Sequence, residues 1–218
     1  MLIRWIAHSC FQLAFKEKAI LTDPFEGIGY EMPDIDTDIV TVSHQHFDHN
    51  AVGKVKSYSV LLDRPGHYEY DDMVIDAIPS FHDECCGEKR GSNLIFTVGA
   101  EGLKVTHLGD LGHLPSEEQY EAIKGTDVLM VPIGGNYTID AEKAFEICKT
   151  IRPNIIIPMH YRTEGLTVDI EKGYHFEELV KGYFDVAHVH RDEMEIRKDD
   201  LKHNTRVVYL ANRYVDAD

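Results

Sequence analysis

The 218 residues fit one domain, read as 1–218, and leave little room for a separate partner-binding module. With 43% hydrophobic and 28% charged residues, the composition excludes a disordered or fibrous chain. A formal net charge of −16 repels phosphate backbones and anionic lipid, so no nucleic acid or membrane partner is expected.

In chain order, the opening MLIRWIAHSCFQLAF carries Arg4 and His8 inside its apolar stretch with no small-residue cleavage pattern after it. No stretch reaches transmembrane length, and the expectation is a cytoplasmic protein. Runs at 2–6, 11–15 and 19–22 predict an antiparallel meander broken by the polar turn 16–18. Further strands are expected at 39–42, 60–62, 73–78, 93–98, 103–108, 128–131 and 155–157, enough for two sheets. Helices are predicted over 116–124, opened by Ser116, over 140–151, capped by Asp140 with Ala141, Ala144, Phe145 and Cys148 on one face, and over 175–182. Strands in two sets with helices outside make a layered α/β fold. Cys10, Cys85, Cys86 and Cys148 lack CxxC spacing and read as free thiols.

Chemistry concentrates in His44-Gln45-His46-Phe47-Asp48-His49, three imidazoles and a carboxylate directly after an apolar strand. In an extended segment His44 and His46 point the same way and can grip one ion, while Asp48 and His49 at the following turn can reach another. Three more candidate ligands, His82, Asp110 and His160, each follow a β-run. Side chains gathered at the carboxyl ends of strands converge on one crevice, so seven ligands are expected to meet there.

The HxHxDH motif at 44–49, followed by His82, Asp110 and His160, resembles the metallo-β-lactamase superfamily over nearly the whole chain. HSCF at 8–11, TDP at 22–24, HLGDLGH at 107–113, PIGG at 132–135 and PMHY at 158–161 resemble its ascorbate-phosphate lactonase-like branch. The resemblance implies a four-layer αββα sandwich. It also implies that His44, His46 and His82 hold one divalent ion, that Asp48, His49 and His160 hold a second, and that Asp110 bridges them.

Two such ions sharing a water would lower its pKa toward neutrality and aim it at an ester, lactone or phosphorylated substrate, with Asp48 orienting the nucleophile or accepting its proton. Zinc is the default for this ligand set, and manganese, iron or nickel fit it too. Asp23 is the candidate support for a metal histidine. His8, His113 and Tyr137 are candidates to line the substrate pocket, Lys89 or Arg90 to meet an anionic group, and Arg162 to stand near the strand ends. His107 is expected on the strand face opposite Asp110, and His67, His175, His188, His190 and His203 on the surface or in packing. Alternatives are a phosphodiesterase and a non-catalytic metal-binding regulatory protein on the same scaffold. The small substrate could be walled in part by a neighbouring subunit, which allows a homo-oligomer.

Overall fold

Apolar residues at alternate positions oblige each segment to bury one face, and two sheets satisfy that demand together. In the computed structural model, which describes residues 1–201 and 204–214, β1 (Leu2–Ala7), β2 (Cys10–Ala14) and β3 (Ala19–Thr22) form the expected meander. β4 (Ile39–Thr41) and β5 (Val60–Leu62) extend this sheet in parallel. The second sheet contains β6 (Gly66–Tyr70), β7 (Met73–Phe81), β8 (Ser92–Ala100), β9 (Leu103–His107), β10 (Val128–Pro132), β11 (Ile155–Met159) and β12 (Asp185–Val189). A short β13 (Glu193–Glu195) then pairs with β1, and β14 (Arg206–Leu210) inserts between β11 and β12.

Ile3, Trp5, Phe11 and Leu13 of the first sheet meet Phe96, Val105, Met130 and Met159 of the second in a shared core. β10 shows the period of two plainly: Val128 and Met130 enter that core, while Leu129 and Val131 face the helices. Those helices are α1 (Glu117–Ile123), α2 (Ala141–Ile151) and α3 (Tyr174–Val180). Ser116 closes a capping box with Gln119, and the Asp140 side chain accepts from the Lys143 N–H, each cap worth about 1 kcal/mol. Ala141, Ala144, Ile147 and Cys148 give α2 its buried face. Over the first sheet the outer layer is made by loops and a single 3-10 turn, with Phe25, Ile28, Ile35, Val55 and Leu166 sealing it.

Of the strands that run beyond their expected ends, three do so at a proline: Pro79 in β7, Pro132 in β10 and Pro158 in β11. Proline has no N–H to donate and is tolerated where a neighbour has stopped pairing. β6 pairs with β7 only as far as Ala77, β9 with β10 only as far as Met130, and β14 with β11 only at Ile155 and Ile156. The strand ladders therefore continue on one side and open on the other, at the end of the sandwich where the candidate ligands sit. The Leu94 N–H donates to the Ser43 carbonyl at 2.8 Å and ties the two sheets together at that end. Among the described residues, no helix is long and apolar enough to cross a membrane.

Candidate metal centre

β1, β3 and β4 run one way in the first sheet, and β7, β9 and β11 share one direction in the second. Their following residues are His8, Asp23, the 44–49 segment, His82, Asp110 and His160. His8, Asp23 and His160 have φ of 54°, 41° and 51°, left-handed backbone that residues with a Cβ seldom adopt and that concentrates at functional sites. The 44–49 segment turns on itself where the His49 and Asn50 N–H groups both donate to the His46 carbonyl at 2.9 Å.

Asp23 organises this segment. Its carboxylate accepts from the Ser43 N–H at 2.8 Å and the Ser43 hydroxyl at 2.6 Å, and it pairs with His49 Nδ1 at 2.8 Å. With its proton committed to Asp23, Ser43 Oγ accepts from His44 Nδ1 at 2.9 Å. Both imidazoles are thereby oriented with Nε2 turned away from these partners, and neither buried Nε2 has a hydrogen-bond partner. Burial pushes Asp23 up, but the His49 hydrogen bond and charge outweigh it and hold the carboxyl below its usual range. Burial lowers His49, but Asp110 and Asp23 outweigh it and raise the imidazole well above its ordinary value, so this point favours positive charge.

Asp110 is held by a buried amide. Its N–H donates to Asn93 Oδ1 at 2.9 Å, and Asn93 Nδ2 donates to Ser80 Oγ at 2.7 Å and the Leu108 carbonyl at 3.0 Å. Gly109 is required beside it, because its φ is 56° and a Cβ there would lie 2.3 Å from Asn93 Oδ1. Asp110 Oδ2 stands 3.0 Å from His160 Nε2, 3.3 Å from both His49 Nε2 and His82 Nε2, and 3.9 Å from His44 Nε2. Burial disfavours the charged carboxylate, yet His160 and His49 overcome it and keep the group well below the usual range.

Two donor sets flank this oxygen. The ligand atoms of His44, His46 and His82 lie within 4.8 Å of one another, and so do those of His8, Asp48, His49 and His160. All seven expected ligands are thus brought together, with His8 joining them. The buried Nε2 atoms of His8, His44 and His49 and Asp110 Oδ1 have no hydrogen-bond partner. Bare nitrogens and carboxylate oxygens converging in a buried space are the donor set of a divalent cation, and the residues present fit one.

The centre opens on a cleft of about 770 Å³ lined by His46, Asp48, Arg90, Tyr137 and the segment 167–169. Arg90 is the one Lys or Arg among the described residues lining it. Its Nη2 donates to the Asn136 carbonyl at 3.0 Å, and its guanidinium lies 5.5 Å from the Tyr137 ring centroid. The loop that presents it winds around the buried Asp83 carboxylate, which accepts the backbone N–H groups of Cys85, Gly87, Lys89 and Arg90 at 2.8–2.9 Å.

Other candidates stand elsewhere. Lys89 and Arg162 do not line the cleft, and Arg162 instead faces Asp169 at 3.5 Å. His113 is a brace outside the cleft: its Nδ1 donates to the Leu114 carbonyl at 2.8 Å and its Nε2 accepts the Phe81 N–H at 3.2 Å. His107 donates to the Ser9 carbonyl at 2.9 Å, away from the donor sets. His67, His175 and His188 are exposed and stand beside carboxylates, whereas His203 lies outside the described residues. All four cysteines are free. The cleft wall at 167–169 has no motif of its own in the sequence. Its faint signal is a pair of distant glycines, since a Cβ on Gly29 would lie 2.1 Å from the Gly165 carbonyl.

A two-sheet sandwich with a His/Asp centre at the strand ends is the architecture of the metallo-β-lactamase superfamily, and the model of its beta-lactamase superfamily domain matches residues 2–160. The chain belongs to that family. Within it, the chain is 30% identical to a UPF0173 metal-dependent hydrolase of Thermoplasma acidophilum, over 75% of this chain and 84% of that one, and so groups with the UPF0173 hydrolases. A proposed zinc-dependent hydrolase of the superfamily from Thermotoga maritima superposes with a TM-score of 0.78 at 34% identity, covering 96% of this chain and 99% of that one. A metallo hydrolase from Ignicoccus hospitalis shares the fold, with a TM-score of 0.63 at 22% identity over 83% of this chain and 90% of its own.

Proposed function

We propose that this hydrolase holds two divalent cations, zinc by default, and cleaves a small ester, lactone or phosphorylated substrate that carries an anionic group. The observation that carries the reading is Asp110 Oδ2, placed 3.0–3.9 Å from the Nε2 atoms of His160, His49, His82 and His44. One carboxylate oxygen shared by both donor sets suits a bridge between two ions. His44, His46 and His82 would hold the first, and Asp48, His49 and His160 the second. When bound, the ions would acidify a water and polarise the oxygen of the electrophile.

The chain's own residues do the rest. Asp48 lines the cleft and is half-buried, placed to orient the attacking water or take its proton. Burial pushes its carboxyl up, but the neighbouring His8 and His49 outweigh it and keep the group ionised, as an acceptor must be. Arg90, steadied by Asn136 and Tyr137, offers a planar guanidinium to a carboxylate or phosphate.

The test is metal analysis of protein purified without chelator, comparing the wild type with His46→Ala and Asp110→Ala, alongside hydrolysis of lactone, ester and phosphodiester panels. Two ions per chain in the wild type, sharply reduced in both variants, is the expected result. A reconstituted wild type that binds no metal overturns the reading. Preference for phosphodiesters over lactones and esters would move the chain to the phosphodiesterase alternative.

A further inference from the structure

We propose that His8 is a direct ligand of the cation assigned to Asp48, His49 and His160, an inference that rests on the reading above. As a residue lining the substrate pocket, which its sequence context suggested, His8 does not fit: it is absent from the cleft wall and its side chain is fully buried. Its backbone is fixed from two sides. Trp5 Nε1 donates to the His8 carbonyl at 3.0 Å, and the His160 N–H donates to the same oxygen at 3.3 Å. A β-bulge between Trp5 and Ala7 and the φ of 54° at His8 then turn the ring inward, over His160 at 4.2 Å and His49 at 5.2 Å between ring centroids.

Both ring nitrogens of His8 are buried without a hydrogen-bond partner. A buried polar atom left unpaired is destabilising, so a group of this kind here points to something it meets. A support role for Asp48 would need an aligned hydrogen bond, and none is made, although Nε2 stands 3.3 Å from Asp48 Oδ2. That spacing has another meaning. Metal bonds of about 2.0–2.2 Å place adjacent donors roughly 3–3.5 Å apart, and 3.3 Å is the separation of two ligands in one shell.

The two half-sites then differ. His8, Asp48, His49 and His160 with the shared Asp110 give five protein donors, of which His8 and His49 stand off the cleft wall, whereas His44, His46 and His82 with Asp110 give four, of which only His44 does. The set with more protein donors holds its ion more firmly, and the set with fewer leaves more room for an exchanging ligand.

The experiment titrates metal-free wild type, His8→Phe and His8→Ala with zinc by calorimetry and with cobalt(II) by visible absorption, whose intensity reports donor number. The Phe ring conserves volume without donors, and thermal melts of the metal-free proteins check that each variant folds. Two ions in the wild type, with one weakened more than ~100-fold in both variants and its cobalt spectrum altered, is the expected result, exceeding the 10–100-fold typical of a supporting residue. Two ions binding either folded variant within tenfold of wild type, with the spectrum unchanged, overturns the role of His8 and leaves the two-cation reading standing. Loss of both ions from variants that still melt cooperatively overturns assignment to a single cation. A wild type that takes up fewer than two ions overturns the two-cation reading itself.

Discussion

His46 ends the first donor set at the open cleft, while His49, three residues on, is sealed beneath the junction of the sheets and hydrogen-bonded to Asp23. One short segment therefore offers both an exposed candidate ligand with no supporting hydrogen bond among the described residues and a buried candidate locked by a carboxylate. The difference separates two demands on such a centre. A buried donor integrates the site into the fold, and an exposed donor keeps a coordination position within reach of substrate.

The largest effect should come where the two sets merge. Replacing Asp110 with Ala removes the oxygen common to both, and hydrolytic activity should fall on the order of 10³-fold or more. Loss of both ions should accompany it in metal analysis. An Asp110→Ala protein that keeps one ion at full occupancy would separate the half-sites and deny the carboxylate its bridging place.

Next in size is the contrast between His49→Ala and His46→Ala, measured as urea stability of metal-free protein. Removing His49 strands the buried Asp23 carboxylate and should cost about 3–5 kcal/mol. His46 is exposed and carries no such pair, so its replacement should stay within about 0.5 kcal/mol while metal uptake falls. Equal stability losses in the two variants would erase the distinction.

The convergence of the seven candidate residues was legible because each follows an apolar β-run, and strand ends in a layered sheet converge by topology. The caps at Ser116 and Asp140 were legible for a local reason, a side chain answering an orphan N–H. The expected ends of β7, β10 and β11 stop just before Pro79, Pro132 and Pro158, which a local reading treats as breakers because it does not know where the neighbouring ladder stops. β6 was illegible for a related reason: GHYEY is an edge strand paired only to β7, mostly exposed, without an apolar period. β12 and β13 share this edge position, whereas Arg206–Leu210 carries the apolar, β-branched signal of a buried strand and simply lacks a ligand beside it. His8 shows the limit most clearly. A lone imidazole after a strand has no pattern of its own, and its inward aim depends on a bulge and on the Trp5 and His160 hydrogen bonds.

A smaller effect is expected at the rim of the open half-site. Charged hydrogen bonds contribute about 1.5–3 kcal/mol, so Arg90→Gln should raise KM for an anionic substrate roughly 10–100-fold. Its kcat should change little, and a neutral analogue should be indifferent. A matching rise in KM for the neutral analogue would make Arg90 a brace for the Asn136 loop rather than a substrate contact.

The smallest expected effect concerns the loop that carries Arg90. Burial pushes the Asp83 carboxyl up, but the N–H groups of Arg90, Gly87, Lys89 and Cys85 outweigh it and hold the group below the usual carboxylate range. A depressed folded pKa means that this stabilisation is present above the unfolded value, about 3.9, and is lost as pH falls through the folded one. At neutral pH the ionised form is therefore the one that binds the loop together. Asp83→Asn keeps one carbonyl acceptor and loses the other, so two of the four N–H bonds lose their partner. Amide exchange at residues 85–90 should quicken while the strands β7 and β8 stay protected, with a rise of only a few-fold in KM. If exchange quickens in β7 as well, Asp83 supports the sheet rather than the loop alone, and the contrast between a rigid anchored half and an adjustable open half would have to be drawn further from the cleft.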